Sequence, residues 1–562
     1  MVRLDSKKLE DLLKLAIALV ALLLVNNLAS RYFFRVDFTE EQRFSIKNAT
    51  KNMLKELDDD VYVEVFLAGD LNADFKRLQQ GIKEVLEEFE VYSNKKVKFS
   101  FSDPLLSMDQ KAQNEFISSL SLLGITPTQV YDNEDGKKTQ KLILPGAIIS
   151  YGEGEKGVML LKGNMASSAR EKINQSIEGV EFEIASAIAQ LTNVEQKKIA
   201  LLKGHGELDS LQIAGLRAAL LNHYHVSNLV INREFVSPQE YDAVIVAKPT
   251  KPFSEQDKYY LDQYIMNGGK VLFLIDQLEV NMDSIASDAN FAFPYQLKLD
   301  DMFFKYGVRI NADLVQDLLA TRYPIVVGNV GDQSQIQMMS WPFFPLISKY
   351  SDHFAVKNLD AIAAKFVSTM DTVKAAGVVK TPMLFTSEYS RNIAAPVKVS
   401  INDLRRELTR EKFNKQHLAI GYLLEGNFTS LYNNRFLPEG VANKDNLTHS
   451  VPTKVMIVSD GDIARNEINP TSGEPMELGY DPYARITFAN QDFLINSISY
   501  LVDGEGLIAA RAKEVKIRPL DAIKVKDERL FWQIINLVLP ITLLFIFGGV
   551  KYVVRKRKYA KL

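Results

Sequence analysis

Residues 243–276 read AVIVAKPTKPFSEQDKYYLDQYIMNGGKVLFLID. The first five are a short unbroken apolar run, the pattern of a strand buried on both faces. Ser254 then stands where a helix N-cap belongs, with Asp257 at the capping-box distance. Tyr260, Leu261, Tyr264 and Ile265 follow at helical spacing, Gly268-Gly269 stops the helix, and Val271–Ile275 is a second buried run. A strand, a helix and a strand with short links predict a parallel β-α-β unit, hence a doubly wound sheet.

The same grammar extends on either side. Upstream, Ile199–Leu202 is a short buried strand and Leu208–Leu221 a helix capped by Asp209 or Ser210. Downstream, Lys454–Val458 reads as a strand and Gln491–Leu501 as a helix. Between them, about 280–450 has few clean periods and many aromatics, so an irregular insertion is expected there, with one strand candidate at Leu418–Leu423.

The N-terminal third follows a different order. Phe33–Phe38 alternates weakly and Ser45 opens a helix through Lys55. Val61–Leu67 and Val97–Phe101 read as strands, Phe75–Val91 and Gln110–Leu123 as helices, Leu142–Tyr151 with Gly157–Leu161 as a hairpin, and Ile177–Leu191 as an amphipathic helix. The order β-α-β-α-β-β-β-α is compatible with a thioredoxin-like sheet, without the CxxC that would give it redox chemistry. Gly152–Gly157 (GEGEKG) formally satisfies GxGxxG, but a strand follows where a phosphate site needs a helix, so it is a hairpin turn.

Both ends carry apolar runs beside basic residues. Leu530–Val550 is 21 residues without a charge, long enough to cross a hydrocarbon core of roughly 30 Å. The tail holds Lys551, Arg555, Lys556, Arg557, Lys558 and Lys561 and no acid, which places it in the cytoplasm. Leu15–Ala29 is shorter; a cleaved signal peptide is its rival, but the small-x-small cleavage pattern is missing, so an anchor is expected. The expected organisation is a cytoplasmic N-terminus and first transmembrane helix (1–31), an N-terminal α/β ectodomain (32–194), a doubly wound α/β ectodomain (195–528), and a second transmembrane helix with its basic tail (529–562). Both termini are then cytoplasmic and the large domain is periplasmic, anchored in the inner membrane.

The near-neutral total of −3 divides unevenly. Residues 32–528 hold 55 basic and 67 acidic residues, a net of about −12. An acidic ectodomain argues against nucleic acid. Cysteine is absent, which removes thiol catalysis, thiolate metal sites and disulfides together. No Walker A sequence, G-x-S-x-G elbow or HExxH is present, so the chain neither powers transport nor shows a familiar hydrolase or zinc site. His223 and His225 lack the spacing of a metal pair. Asp460-Gly461-Asp462 opens like a calcium loop but meets Thr471 where position 12 needs a glutamate. No metal or cofactor is expected.

What remains is position. In an open parallel sheet, ligands bind outside the carboxyl ends of the strands. The loops there carry His205 and Glu207 (Leu201–Asp209, LLKGHGELD), Lys248, Asp276, Asp460 and Asp462. These six are the candidate ligand or partner contacts. The alternative is that glycines make the turns and acids sit at helix N-termini for the dipole.

Five pieces in order, FTEEQRFSIKNATKNMLKELDDDVYVEVFLAGD (38–70), LLKGHGELD, residues 248–276, VMIVSDGDIARN (455–466) and NQDFLINSISYLVDGEGLIAARAKEVKIRPLD (490–521), resemble the gliding-motility-associated ABC transporter component family, GldG. The resemblance implies a Bacteroidetes-type envelope protein, often labelled substrate-binding, that works with a polytopic permease and a cytoplasmic ATPase in surface gliding. It also implies an ectodomain similar to a domain of intraflagellar transport proteins, which catalyses nothing. Residues 197–280 resemble amidotransferase-like α/β domains, whose cysteine nucleophile this chain lacks. A noncatalytic transporter subunit is therefore expected; a solute or glycan receptor and an unfamiliar hydrolase are the alternatives.

Overall fold

The computed structural model describes residues 6–31, 45–134, 137–162, 169–192, 197–231, 240–286, 290–330, 333–357, 359–405, 409–439, 446–503, 506–507, 510 and 528–559. The chain divides into two compact units, Met1–Glu514 and Val515–Leu562. The expected strand at Phe33–Phe38 and nearly all of the segment leading into the second apolar helix lie outside the described residues.

The first unit begins with helix α1 (Ser6–Arg31) and α2 (Asn48–Lys55). A four-stranded sheet follows, built from β1 (Val61–Val65), β2 (Val97–Phe101), β5 (Gly146–Tyr151) and β6 (Gly154–Met159) in the order β2-β1-β5-β6. β1 runs parallel to β2 and antiparallel to β5, and β5 antiparallel to β6. This is the thioredoxin-like order. α3 (Ala73–Tyr92) and α5 (Ala169–Thr192) share one core with Val61, Val63 and Val65. α4 (Gln110–Leu122) contributes Leu120 to a smaller cluster with Phe66 and Ile125. The GEGEKG turn is a hairpin, with Tyr151 paired to Gly154 and Gly152 at φ +58°. One expectation is corrected: Leu142 belongs to a separate ribbon of β3 (Thr128–Glu134) and β4 (Lys137–Ile143), because Pro145 supplies no N–H to continue the ladder into β5.

The second sheet has eight strands. Five are parallel: β8 (His225–Leu229), β7 (Lys198–Leu202), β9 (Ala243–Ala247), β10 (Lys270–Leu274) and the strand Thr453–Val458, adjacent in that order. Taken in chain order this is 2-1-3-4-5, so the sheet reverses direction between β7 and β9. α6 (Ala214–Leu221) links β7 to β8, and α7 (Glu255–Met266) links β9 to β10 toward the opposite edge. Crossovers of one hand running in opposite directions put their helices on opposite faces. Accordingly Ile245 and Leu272 join α6 and α9 (Asn490–Asp503), while Val244, Val246 and Phe273 join α7 and α8 (Asp300–Tyr306). All five residues of β9 are buried, which is why that run reads as unbroken apolar sequence.

Residues 280–450 are not irregular, as expected, but rich in strand. Ala419–Gly426, Val378–Phe385 and Lys349–Tyr350 extend the main sheet antiparallel. The ribbon of Ala320–Val330 with Gln333–Ile347 builds its own core around Trp341. Helix α6 also begins later than expected, at Ala214. Asp209 caps the preceding turn instead, its Oδ1 accepting from Leu211 and Gln212 N–H at 2.9 and 2.8 Å.

The second unit holds the helix Arg529–Tyr559, whose stretch Phe531–Lys558 has a mean hydropathy of 2.1 and is long and apolar enough to cross a membrane. Among the described residues it is the one helix that meets both criteria; the apolar part of α1, Leu13–Leu24, is shorter.

Candidate functional site

The reversal between β7 and β9 opens a crevice at the carboxyl ends of those strands, and the chain fills it with itself. After β7, Gly204 and Gly206 sit at φ +128° and +72°, conformations that side chains resist. They turn His205 back onto the loop after β9. The His205 carbonyl accepts from Thr250 and Lys251 N–H at 2.9 and 2.8 Å, and Thr250 Oγ1 donates to the Gly206 carbonyl at 3.0 Å. A Cβ on Gly206 would lie 2.2 Å from Thr250 Oγ1.

The His205 side chain is 9% exposed and its ring lies flat on Phe253, with ring centroids 3.7 Å apart and planes within 3°. Nδ1 is 3.3 Å from Glu207 Oε1, and Nε2 is 3.2 Å from Asp257 Oδ2. Glu207 Oε2 also accepts the His205 N–H at 2.8 Å. Asp257 in turn accepts from the N-cap Ser254 Oγ at 2.6 Å, so the imidazole's partner is tied to the cap of α7. With a carboxylate at each ring nitrogen, both act as donors when the ring is charged. Burial opposes that charge, but Glu207 and Asp257 outweigh it and lift the pKa above its usual value. A general base needs a free ring nitrogen within reach of substrate. His205 offers none in this arrangement; its ring pins two loops together through Glu207 and Asp257.

The other four candidates gather one, two and three strands further along from β7. Lys248, at φ +53° directly after β9, extends Nζ to Asp276 Oδ2 at 2.8 Å and Asp462 Oδ2 at 2.5 Å. Asp276 follows β10 and accepts from Gly461 N–H at 2.6 Å. Asp460 follows the strand Thr453–Val458 and accepts from Asp462 N–H at 2.7 Å and Lys365 N–H at 2.8 Å. A Cβ on Gly461 would lie 2.5 Å from Lys248 Cβ, so glycine admits the lysine.

Asp276, Asp460 and Asp462 each place one oxygen within 4.8 Å of the others, a donor set that suits a hard cation. Lys248 already supplies the positive charge. Burial raises the Asp460 carboxyl well above the usual range, and the charges of Asp276 and Asp462 raise it further. Burial also raises Asp276, with Lys248 opposing. Asp462 is held low despite burial, by Lys248 and then Lys365. The network balances one ammonium against unequally ionised carboxyls.

The structure thus brings the six residues into two networks: His205 with Glu207, and Lys248 with Asp276, Asp460 and Asp462. No ion pair or hydrogen bond among the described residues joins their side chains. Sequence reasoning missed Phe253 and Lys365. Phe253 lay beside a recognised cap, whereas Lys365 lay in a stretch without period.

Against known proteins, residues 196–497 match a family described as an ABC-type uncharacterized transport system, and residues 40–150 match a domain of unknown function. An uncharacterized protein of Borreliella burgdorferi is 21% identical over 584 residues, covering 98% of this chain and 99% of its own length. The solved mmIFT52 N-terminal domain is 10% identical, with a TM-score of 0.32, covering 55% of this chain and 99% of that one. The first match takes in all five parallel strands and both networks, and spans more than half of the chain: the protein belongs to the ABC-type uncharacterized transport system family.

Proposed function

We propose that this chain is a noncatalytic, membrane-anchored subunit of an ABC transporter that serves bacterial gliding motility, joining a permease to envelope components through its ectodomain. The family match across residues 196–497 carries the reading. The apolar helix Phe531–Lys558 supports attachment to a membrane. The closed state of His205 supports a structural role for that loop. The permease and the ATPase are separate chains, since this one has no Walker A sequence. In this reading residues 32–194 and 195–528 are two periplasmic modules, α1 is a retained anchor, and both termini are cytoplasmic.

Affinity purification of the tagged chain from mildly solubilised membranes tests the assembly. A polytopic permease and an ATPase are expected at fixed ratio; recovery of the chain without either refutes it. Deletion in the native host is expected to abolish gliding, and unimpaired gliding refutes that part. Alkaline phosphatase fused before Lys551 is expected to be active, and an inactive, stably expressed fusion refutes the periplasmic placement.

A further inference from the structure

Beyond the carboxyl end of the strand Thr453–Val458 lies a cleft of about 190 Å³, bordered by Arg322, Tyr323, Lys365, Asp462, Arg465 and Tyr483. At about 30 Å³ per water it has room for about six, the size of an amino acid or a single sugar acid. Its charges are unevenly met. Lys365 is paired with Glu467 at 2.5 Å. Arg322 is exposed and makes no ion pair among the described residues. Arg465 is 42% exposed and reaches Asp462 Oδ1 only at 3.6 Å, too far for a hydrogen bond. That oxygen is buried and has no hydrogen-bond partner, although Oδ2 of the same carboxylate holds Lys248. Tyr323 and Tyr483 meet edge to face at 5.8 Å, and Tyr483 is half exposed.

We propose that this cleft binds a small carboxylate bearing an adjacent ammonium or hydroxyl. Its carboxylate pairs with Arg322 and Arg465, its donor with Asp462 Oδ1, and its carbon skeleton lies against Tyr323 and Tyr483. The alternatives meet the wall less well. A simple cation faces two guanidinium groups, and a simple anion leaves the Asp462 acceptor unmet and adds like charge beside it. An apolar ligand satisfies neither. Two common sources share the required chemistry, α-amino acids and uronic acids.

The site carries its own reporter. Trp341 is buried, with its ring 4.9 Å from Tyr323 and 4.4 Å from Phe344, both of which line the cleft. The chain has two tryptophans, so Trp532→Phe leaves Trp341 as the single emitter. The full chain in detergent is titrated with L-alanine, L-glutamate and D-glucuronate to about 10 mM, beyond the range expected of a small weak site. Calorimetry on the same samples covers an optically silent ligand. At least one probe is expected to saturate, and whether it is an amino acid or the uronic acid identifies the source. Arg322→Ala, an exposed change that leaves the buried network intact, is expected to weaken that probe at least about tenfold. Asp462→Asn is expected to do the same, and acetate, which lacks the donor, to bind at least about tenfold more weakly. Silence across all three probes overturns the proposal, as does unchanged affinity in Arg322→Ala or equal binding of acetate. The inference is independent of the assembly reading: co-purification reports on one and titration on the other.

Discussion

Removing the ammonium of Lys248 tests the idea that the strand-end acids are held by a lysine rather than by a bound cation. Lys248→Met keeps the length of the side chain and deletes its charge. It leaves Asp276 and Asp462, whose side chains are 5% and 6% exposed, without the group that lies 2.8 and 2.5 Å from them. Breaking a buried pair from one side costs about 3–5 kcal/mol, because the remaining charge stays buried. Unfolding entropy of about 2.1 cal/mol/K per residue, taken over roughly 300 residues of the sheet domain, converts that to a fall of about 5–8 °C. The loss also depends on pH. The Asp276 carboxyl already sits above its usual pKa, so its favourable contribution is full below the unfolded value and fades as pH rises through the folded one. Without Lys248 that carboxyl rises further, so the variant is destabilised less at pH 5 than at pH 7.5. Adding Asp276→Asn and Asp462→Asn should recover much of the loss, since a neutral cluster no longer strands a charge. Scanning fluorimetry of the full chain in detergent measures all of this. A fall below about 1 °C, or one of equal size at both pH values, refutes the reasoning; so does a rescue by divalent cations alone, which would make the acids a metal site.

Other outcomes follow from the same geometry. The His205 imidazole should titrate above pH 6.5 by proton NMR, and Asp257→Asn should lower the midpoint; stability from this pin is full below the unfolded pKa and is lost as pH rises through the folded one. A wild-type midpoint at or below 6.5 would contradict the two-carboxylate account. Gly206→Ala should destabilise by roughly 2–4 kcal/mol, from a left-handed backbone and a Cβ 2.2 Å from Thr250 Oγ1, and by more than Gly204→Ala, which meets nothing within 4 Å. Equal losses in thermal melts would place the cost in backbone strain alone. Asp262→Ala should cost on the order of 3 kcal/mol by stripping partners from Tyr306 Oη, Ser430 Oγ and Leu431 N–H, and should expose Gln263 and residues 428–439 to faster hydrogen exchange. Exchange confined to α7 would argue that this carboxylate does not hold the insertion down.

The sheet was legible where local chemistry and tertiary burial agree. The AVIVA run is buried along its whole length, and Ser254 caps α7 as its sequence proposes, with Asp257 N–H donating to its hydroxyl at 3.0 Å. The strand-end rule also found the loops that carry the six candidates, because it needs only strand ends and a parallel connection. It could not divide them into two networks. That division depends on which strand lies beside which, and β8 lies outside β7 while β9 lies inside it, an order fixed by packing rather than by any residue in the loops. The insertion failed for a local reason: Val378–Phe385 carries Pro382 beside a bulge, and Gln333–Ile347 carries two prolines, so neither shows the alternation of a strand.

Helix α7 shows how these successes and failures are linked. Its sequence places Tyr260, Leu261, Tyr264 and Ile265 at helical spacing. Yet Lys258, Asp262 and Gln263 are buried with the apolar ones. Lys258 reaches Asp301, Asp262 holds Ser430 and Leu431, and Gln263 holds Leu447, so the polar face of the helix receives the insertion. The polar residues of the helix are attachment points for a segment whose own sequence shows few clean periods. The crevice at the sheet reversal is closed by His205, and α7 is covered by the insertion. A strand-end cleft lies past Thr453–Val458, where Asp462 Oδ1 has no hydrogen-bond partner among the described residues. On the proposal made for that cleft, this chain, which has no cysteine, contacts a small molecule past Thr453–Val458 and not at the loop after β7. Placing the probe titration and the Lys248→Met melt side by side tests that displacement directly, because both depend on Asp462 and only one depends on Arg322.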